Sequence, residues 1–234
     1  MGKIEKQKTV SCELVWTAAM FINSFAMAIL VKSSFGISTL SSLPLVLYDI
    51  FPAISFGMMN TLIQTTLLIT VMIITHQPKV SYIFSFVISF IFGLLIDLMD
   101  YLVLGWSDAM ALRIVYFVAG WILISLGGAM FILSKLPLMP FDCTIRDLAI
   151  YLKKPVRKVK TGLDAIFVSS AIVLSLLFLG KLEGVGVGTI LMAFLTGTLV
   201  QYFVDHLNSR FQFHCATTIG EKLAQIAAVK AKAD

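Results

Sequence analysis

Long apolar runs separated by short polar interruptions define this chain. A run of about 20 apolar residues is long enough to cross the hydrocarbon core of a bilayer as a helix. Six such runs occur, at about 13–32, 54–75, 80–104, 111–134, 162–180 and 186–208. Two further stretches, Ser38 to Phe51 and Phe141 to Leu152, are mixed or amphipathic and too short to cross. Each follows the first run of a group of three. The pattern predicts an all-α polytopic membrane protein with six transmembrane helices and two short broken or re-entrant helices.

The pattern also occurs twice. Ala26-Met27-Ala28-Ile29-Leu30-Val31-Lys32 returns as Ala129-Met130-Phe131-Ile132-Leu133-Ser134-Lys135, 103 positions later. Asn60 falls opposite Asp164 and Gly93 opposite Gly197, both at an offset of 104. The chain then divides into a tail (1–12), a first three-span repeat (13–104), a second (105–210) and a second tail (211–234). An odd number of spans per repeat turns the second copy upside down. Two inverted three-helix repeats are therefore expected, an arrangement that recurs in secondary transporters.

Composition excludes a water-soluble domain. Hydrophobic residues make up 59% of the chain and charged residues 13%, against about 25% charged in soluble proteins. The first run holds Asn23 and lacks a small-residue cleavage site, so it reads as a span and not as a cleavable signal. No appended soluble domain is expected. The net charge of +5 is no nucleic-acid signal, because the basic residues lie in loops and tails. Their distribution instead orients the chain. With the N-terminus in the cytoplasm, Lys32, Arg113 and Lys181 are outside and the rest of the 18 Lys and Arg are inside, among them Lys3, Lys6, Lys79, Lys135 and the run Lys153 to Lys160. Both termini are thus expected to be cytoplasmic, with the basic run facing anionic headgroups. Asp97 and Asp100, at the outer end of the third span, read as solvated.

Cys12, Cys143 and Cys215 are scattered, and His76, His206 and His214 show no zinc spacing. No metal site, cofactor site or catalytic set is expected. An enzyme reading finds no support, and a channel would need a polar pore ring that one copy does not present. The tail from Gly220 to Asp234, rich in Ala and Lys, receives no function.

Polar and ionisable residues inside spans are costly in lipid and mark candidate sites. Pro140-Phe141-Asp142 reads as a break and a helix start with Asp142 as N-cap. That helix end either holds a substrate group or merely caps a short interfacial helix. Ser38 and Thr39 are the matching caps in the first repeat, with the same two readings. Asn60 and Asp164 occupy equivalent places in spans two and five and would face the bundle interior. Gln64 extends the Asn60 face, and Asp164 can also pair with Lys160 four residues earlier. Arg146 can neutralise a carboxylate or pair with Asp142. Gly184-Val185-Gly186-Val187-Gly188-Thr189 lacks the Gly-Lys-Ser/Thr ending of a phosphate loop and follows no soluble strand. Its glycines suit close packing, with Thr189 facing the cavity.

These segments resemble the YczE/YyaS/YitT group of bacterial integral membrane proteins. The resemblance rests on Lys158-Val159-Lys160-Thr161-Gly162-Leu163-Asp164, on Gly180 to Ile190 with its Gly-x-Gly-Thr element, and on Pro140-Phe141-Asp142. In the first half it rests on Phe35 to Pro44 and Ile54-Ser55-Phe56-Gly57. It covers roughly residues 15–210 and implies a bacterial inner membrane protein with a transport role; it names no substrate.

The sequence thus leads to a secondary active transporter for a small polar or charged organic molecule, coupled to a proton or sodium ion. Ser38, Thr39, Asn60, Asp142, Arg146, Asp164 and Thr189 would line its site. The rival is a membrane-embedded binding or accessory subunit of a larger complex. A homodimer is compatible with the short chain.

Overall fold

The computed structural model describes residues 8–76, 81–134, 136 and 139–214. Lys3, Lys6, Lys79, Lys135, Leu138, Cys215 and the tail from Gly220 lie outside the described residues. Among those described, the chain forms eight α-helices and two short strands. In chain order they are β1 (Lys8–Ser11), α1 (Cys12–Ser33), α2 (Thr39–Ile50), α3 (Phe56–Thr75), α4 (Ser81–Val103), α5 (Met110–Ser134), α6 (Pro140–Leu152), α7 (Val156–Leu174), α8 (Val187–Arg210) and β2 (Phe211–His214). A π-helical turn, Ser175–Leu179, prolongs α7.

Six of these helices are long and apolar enough to cross a membrane: α1, α3, α4, α5, α7 with its π turn, and α8. The helices α2 and α6 are the two short ones expected between spans. Large side chains such as Ile83, Leu94, Val115, Leu177 and Phe194 are exposed on the outer helix faces. In water an apolar surface that wide would aggregate; against lipid it is the stable arrangement. The architecture is that of a multi-pass, all-α membrane protein.

Three local features differ from expectation. Val156 to Thr161, read as part of a basic loop, already belongs to α7, so Arg157, Lys158 and Lys160 sit on its first turns. Arg157 and Lys158 are exposed there, which lets long cationic side chains reach the interface from a helix. The two tails are joined: β1 pairs in parallel with β2, from Lys8 opposite Phe211 to Ser11 opposite His214. Since β1 runs into α1 and β2 follows α8, both ends of the described chain lie at one end of the bundle. Asp142 is not an N-cap. The helix α6 starts three residues earlier, with Met139 at the cap and Pro140 at the first position, where a missing N–H costs nothing. Asp142 lies in its first turn.

The helices pack crosswise. α1 lies along α5 at the centre; α4 packs on α1 and α8 on α5. α2 packs against α7, and α6 against α3. One large cluster, including Met20, Leu30, Phe56, Phe92, Ile96 and Phe117, ties α1, α2, α3, α4, α5 and α8 together. Another, with Phe141, Ile145, Val159, Leu163 and Phe167, joins α6 to α7 and, through Ile63 and Leu67, to α3.

The pair α3–α4 is closed and the pair α7–α8 is open. On α3, a Cβ at Gly57 would run into the Gly93 carbonyl oxygen of α4. The Thr61 hydroxyl, 3.0 Å from the Ser89 carbonyl oxygen, donates between the same helices. Asp97 of α4 accepts from the Ser55 hydroxyl at 2.6 Å and from the Gly57 N–H at 2.7 Å. Asp97 is therefore no solvated outer carboxylate; it holds the N-terminus of α3, where free N–H groups and the helix dipole favour a negative charge. Asp97→Ala removes the acceptor of both and strands the buried Gly57 N–H, and a loss of about 1–3 kcal/mol is expected, read as a lower thermal midpoint in detergent with the helical signal retained below it. Between α7 and α8, by contrast, a cleft of about 910 Å³ opens, and a Cβ at Gly197 would meet nothing within 4 Å.

Candidate functional site: a central cavity and an adjoining cleft

Two cavities meet at the start of α2. The smaller, of about 150 Å³, takes lining residues from seven of the eight helices: Asn23 and Met27 of α1, Ser38, Leu40 and Ser41 at α2, Gln64 of α3, Phe92 of α4, Phe131 of α5, Met139, Phe141 and Asp142 at α6 and Phe167 of α7. It is therefore central to the bundle. The larger is the cleft between α7 and α8, lined by residues that include Thr39, Lys160, Asp164, Thr198, Gln201 and Asp205. Ser38 and Leu40 line both.

Local sequence puts these groups where they are. Neither short helix has a side-chain cap at its N-terminus, although Ser38 and Met139 occupy the cap positions. The Ser38 hydroxyl turns aside and donates to Ser41 Oγ at 3.1 Å. Both N-terminal ends thus keep N–H groups directed at the cavity region. α2 is held there by Thr39, whose hydroxyl donates to Asp164 Oδ1 of α7 at 2.9 Å. The connection before α2 is fixed by contact with the start of α8. The Gly188 N–H donates to the Phe35 carbonyl at 2.9 Å, and Gly36 sits at φ 102° against Thr189.

The seven residues singled out from the sequence separate into groups. Ser38 and Asp142 line the central cavity, and Ser38, Thr39 and Asp164 line the cleft. Asn60, 2% exposed, lines neither; its amide nitrogen is buried without a hydrogen-bond partner among the described residues. Thr189, also 2% exposed, caps α8, its hydroxyl lying 3.3 Å from the Gly186 nitrogen. Arg146 turns to its neighbour Asp147, with Nε 3.4 Å from Oδ1, and not to Asp142. Asp147 in turn accepts from the Tyr82 hydroxyl of α4, so this group anchors α6. Asp164 takes its hydrogen bond from Thr39 and forms no ion pair with Lys160 among the described residues.

Sequence reasoning missed the cavity's apolar wall. Phe92, Phe131, Phe141 and Phe167 all line it, yet nothing distinguishes them locally from the rest of the 18 phenylalanines. From the sequence, Gln64 reads only as an extension of the Asn60 face. Its Oε1 is buried at the cavity wall without a partner among the described residues. The arrangement offers hydrogen-bond acceptors and one formal negative charge inside an aromatic shell. Among the described residues no three His, Cys, Asp or Glu side chains gather as metal ligands.

Comparison with known proteins places the chain in a family without assigning a role. No solved structure matches it. It is 27% identical over 197 residues to the uncharacterized protein YyaS of Bacillus subtilis (strain 168), an alignment covering 82% of this chain and 92% of that one. A family model described as a family of unknown function, DUF6198, matches residues 10–205. The YyaS-like resemblance carried by the sequence motifs is therefore upheld, and the chain belongs to the DUF6198 family.

Proposed function

We propose that this protein is a secondary active transporter of a small polar or charged organic molecule, working by alternating access between two inverted three-helix repeats. It would lie in the bacterial cytoplasmic membrane with both termini inside. The observation that carries the reading is the convergence of the α2 and α6 N-terminal ends, from corresponding places in the two halves, on one cavity that holds Asp142 and Gln64 within a largely apolar wall. Half-helix ends at such a place are a transporter's means of holding substrate groups and ions.

The crosswise packing supports the repeat. α2 on α7 mirrors α6 on α3, and α1 with α4 mirrors α5 with α8. The open and closed helix pairs support the alternation. At the offset of 104, Gly57, Gly93 and Asp97 correspond to Thr161, Gly197 and Gln201. The first set is locked together and the second borders the cleft. Exchanging these roles would close α7 on α8 and part α3 from α4, opening the cavity to the other side. The Thr39–Asp164 hydrogen bond, at the junction of cleft and cavity, would be the inner gate.

The test is uptake into proteoliposomes of labelled amines, amino acids and organic acids, supplied as separate pools. Wild type is expected to accumulate one pool, and the Asp142→Asn/Asp164→Asn double variant is expected to lose that uptake while keeping its elution profile and melting midpoint. Undiminished uptake by the double variant would sink the assignment of both carboxylates. Ligand binding without uptake of any pool would favour the rival reading, a membrane-embedded binding subunit that needs a partner.

A further inference from the structure

We infer that the central cavity takes a small organic ammonium ion, its charge against Asp142 and its hydrocarbon part among Phe92, Phe131, Phe141 and Phe167. The inference deepens the proposed transport site and rests on that site being the one occupied.

Among the described residues, Asp142 is the one charged residue in the lining of this cavity. Its side chain keeps surface on the open cavity, while the helices packed round it shield it from bulk solvent. It makes no hydrogen bond or ion pair among the described residues. Lys160 and Arg146 are near enough to act on it through their charge, but neither lines the cavity, and Arg146 is engaged by Asp147. A carboxylate held without a partner in a bundle this apolar is expensive. A ligand that pairs with it relieves that cost. Gln64 Oε1 is a second unmet acceptor in the wall.

Together these groups call for N–H donors and positive charge. The N-terminal ends of α2 and α6 carry partial positive charge and by themselves would suit an anion. An anion in this cavity, however, would be forced against the Asp142 carboxylate and the Gln64 carbonyl oxygen. The four phenyl rings decide between kinds of cation. Ring faces attract an ammonium within about 6 Å and give its carbon atoms van der Waals contact, which a bare metal ion, lacking carbon, cannot use. Size narrows the class further. An apolar cavity of about 150 Å³ in another protein holds benzene, so a ligand of about four to seven heavy atoms fits here.

The probe is propylammonium chloride, with propan-1-ol, sodium propionate, sodium chloride and tetrabutylammonium chloride as comparisons, followed by thermal unfolding of the purified full chain. Propylammonium several-fold above its Kd is expected to raise the midpoint by about 2–4 °C. The neutral, anionic, sodium and oversized probes are expected to leave it unchanged. Asp142→Asn should weaken propylammonium at least about tenfold; Asp142→Glu should keep part of the affinity; Asp108→Asn, at the outer loop, should keep all of it. Since Asp142→Asn removes an unpaired charge, it should fold at least as well as wild type. Stabilisation by propionate or by sodium chloride alone, or an undiminished propylammonium shift in Asp142→Asn, would overturn the ammonium assignment. Proteoliposomes separate this from the transport reading. Propylammonium bound but never taken up leaves the ligand class standing and removes the transporter. Uptake of an organic acid that Asp142→Asn abolishes keeps the transporter and removes the ligand class.

Discussion

Gly93→Ala is expected to unfold or severely loosen the protein, while Gly197→Ala, the same exchange 104 positions later, is expected to hold or slightly raise its melting midpoint. A Cβ at Gly93 would meet the Thr61 hydroxyl and, at 2.6 Å, the carbonyl oxygen of Gly57. Neither can move cheaply. The Thr61 hydroxyl is fixed between the Gly57 and Ser89 carbonyl oxygens, 3.0 Å from each, and Gly57 is backbone in the first turn of α3. Relief requires α4 to slide away from α3, which breaks the two hydrogen bonds that Asp97 accepts. Overpacking a rigid contact costs about 1–3 kcal/mol or more, and the lost bonds to a charged group add to it. At Gly197 the added methyl meets nothing within 4 Å, and alanine favours a helix over glycine by about 1 kcal/mol. Thermal unfolding of both variants in one detergent provides the comparison. Equal losses at both positions would mean that α7 and α8 are closed in solution.

Gly36→Val should have the second-largest effect. Gly36 adopts φ 102°, a conformation L side chains rarely reach, and its Cβ would collide with Thr189 Oγ1 and approach the Gly186 nitrogen to 2.7 Å. Strain of that kind costs about 1–3 kcal/mol before any collision, and a β-branched residue suffers most. The damage falls on the joint that hangs α2 from the end of α1 and presses it on the start of α8. Loss of the Gly188–Phe35 and Ile37–Gly184 backbone hydrogen bonds would free the N-terminus of α2 from the cavity. The expected result is a lower midpoint together with weakened ligand binding. Thr189→Ser, which keeps the hydroxyl that caps α8, is expected to retain both. A wild-type midpoint for Gly36→Val would remove this joint from the account.

What the sequence carried of this fold was its hydropathy. Spans are legible because each apolar run must satisfy its own backbone in lipid as a helix, and the short helices are legible because they are too short to span. The start of α7 was read about six residues late because Arg157, Lys158 and Lys160 look like a loop; charge at an interface is equally at home on a helix. The β1–β2 pair was invisible, since its two strands are four residues each and some 200 positions apart. At the site, Ser38, Thr39, Asp142 and Asp164 were found because polarity inside apolar sequence is rare. Thr39 and Asp164 come from opposite halves, 125 positions apart, so their bond was beyond local pattern. Asp97 was misjudged for the same reason: its donors, Ser55 and Gly57, are about 40 positions upstream. The phenylalanine wall was hidden by abundance, because in a chain this apolar a phenylalanine signals nothing until its neighbours are known.

The small parallel ladder between β1 and β2 has a consequence for how such a gene could be arranged. It brings the beginning of α1 and the end of α8 side by side. The exposed turn around Gly105, where an added side chain would meet nothing within 4 Å, lies between α4 and α5. A short linker across the ladder and a new opening at that turn would write the second half first and leave every helix in its place. On the proposed repeat, the order of the two halves in the gene would then be set by history and not by the fold.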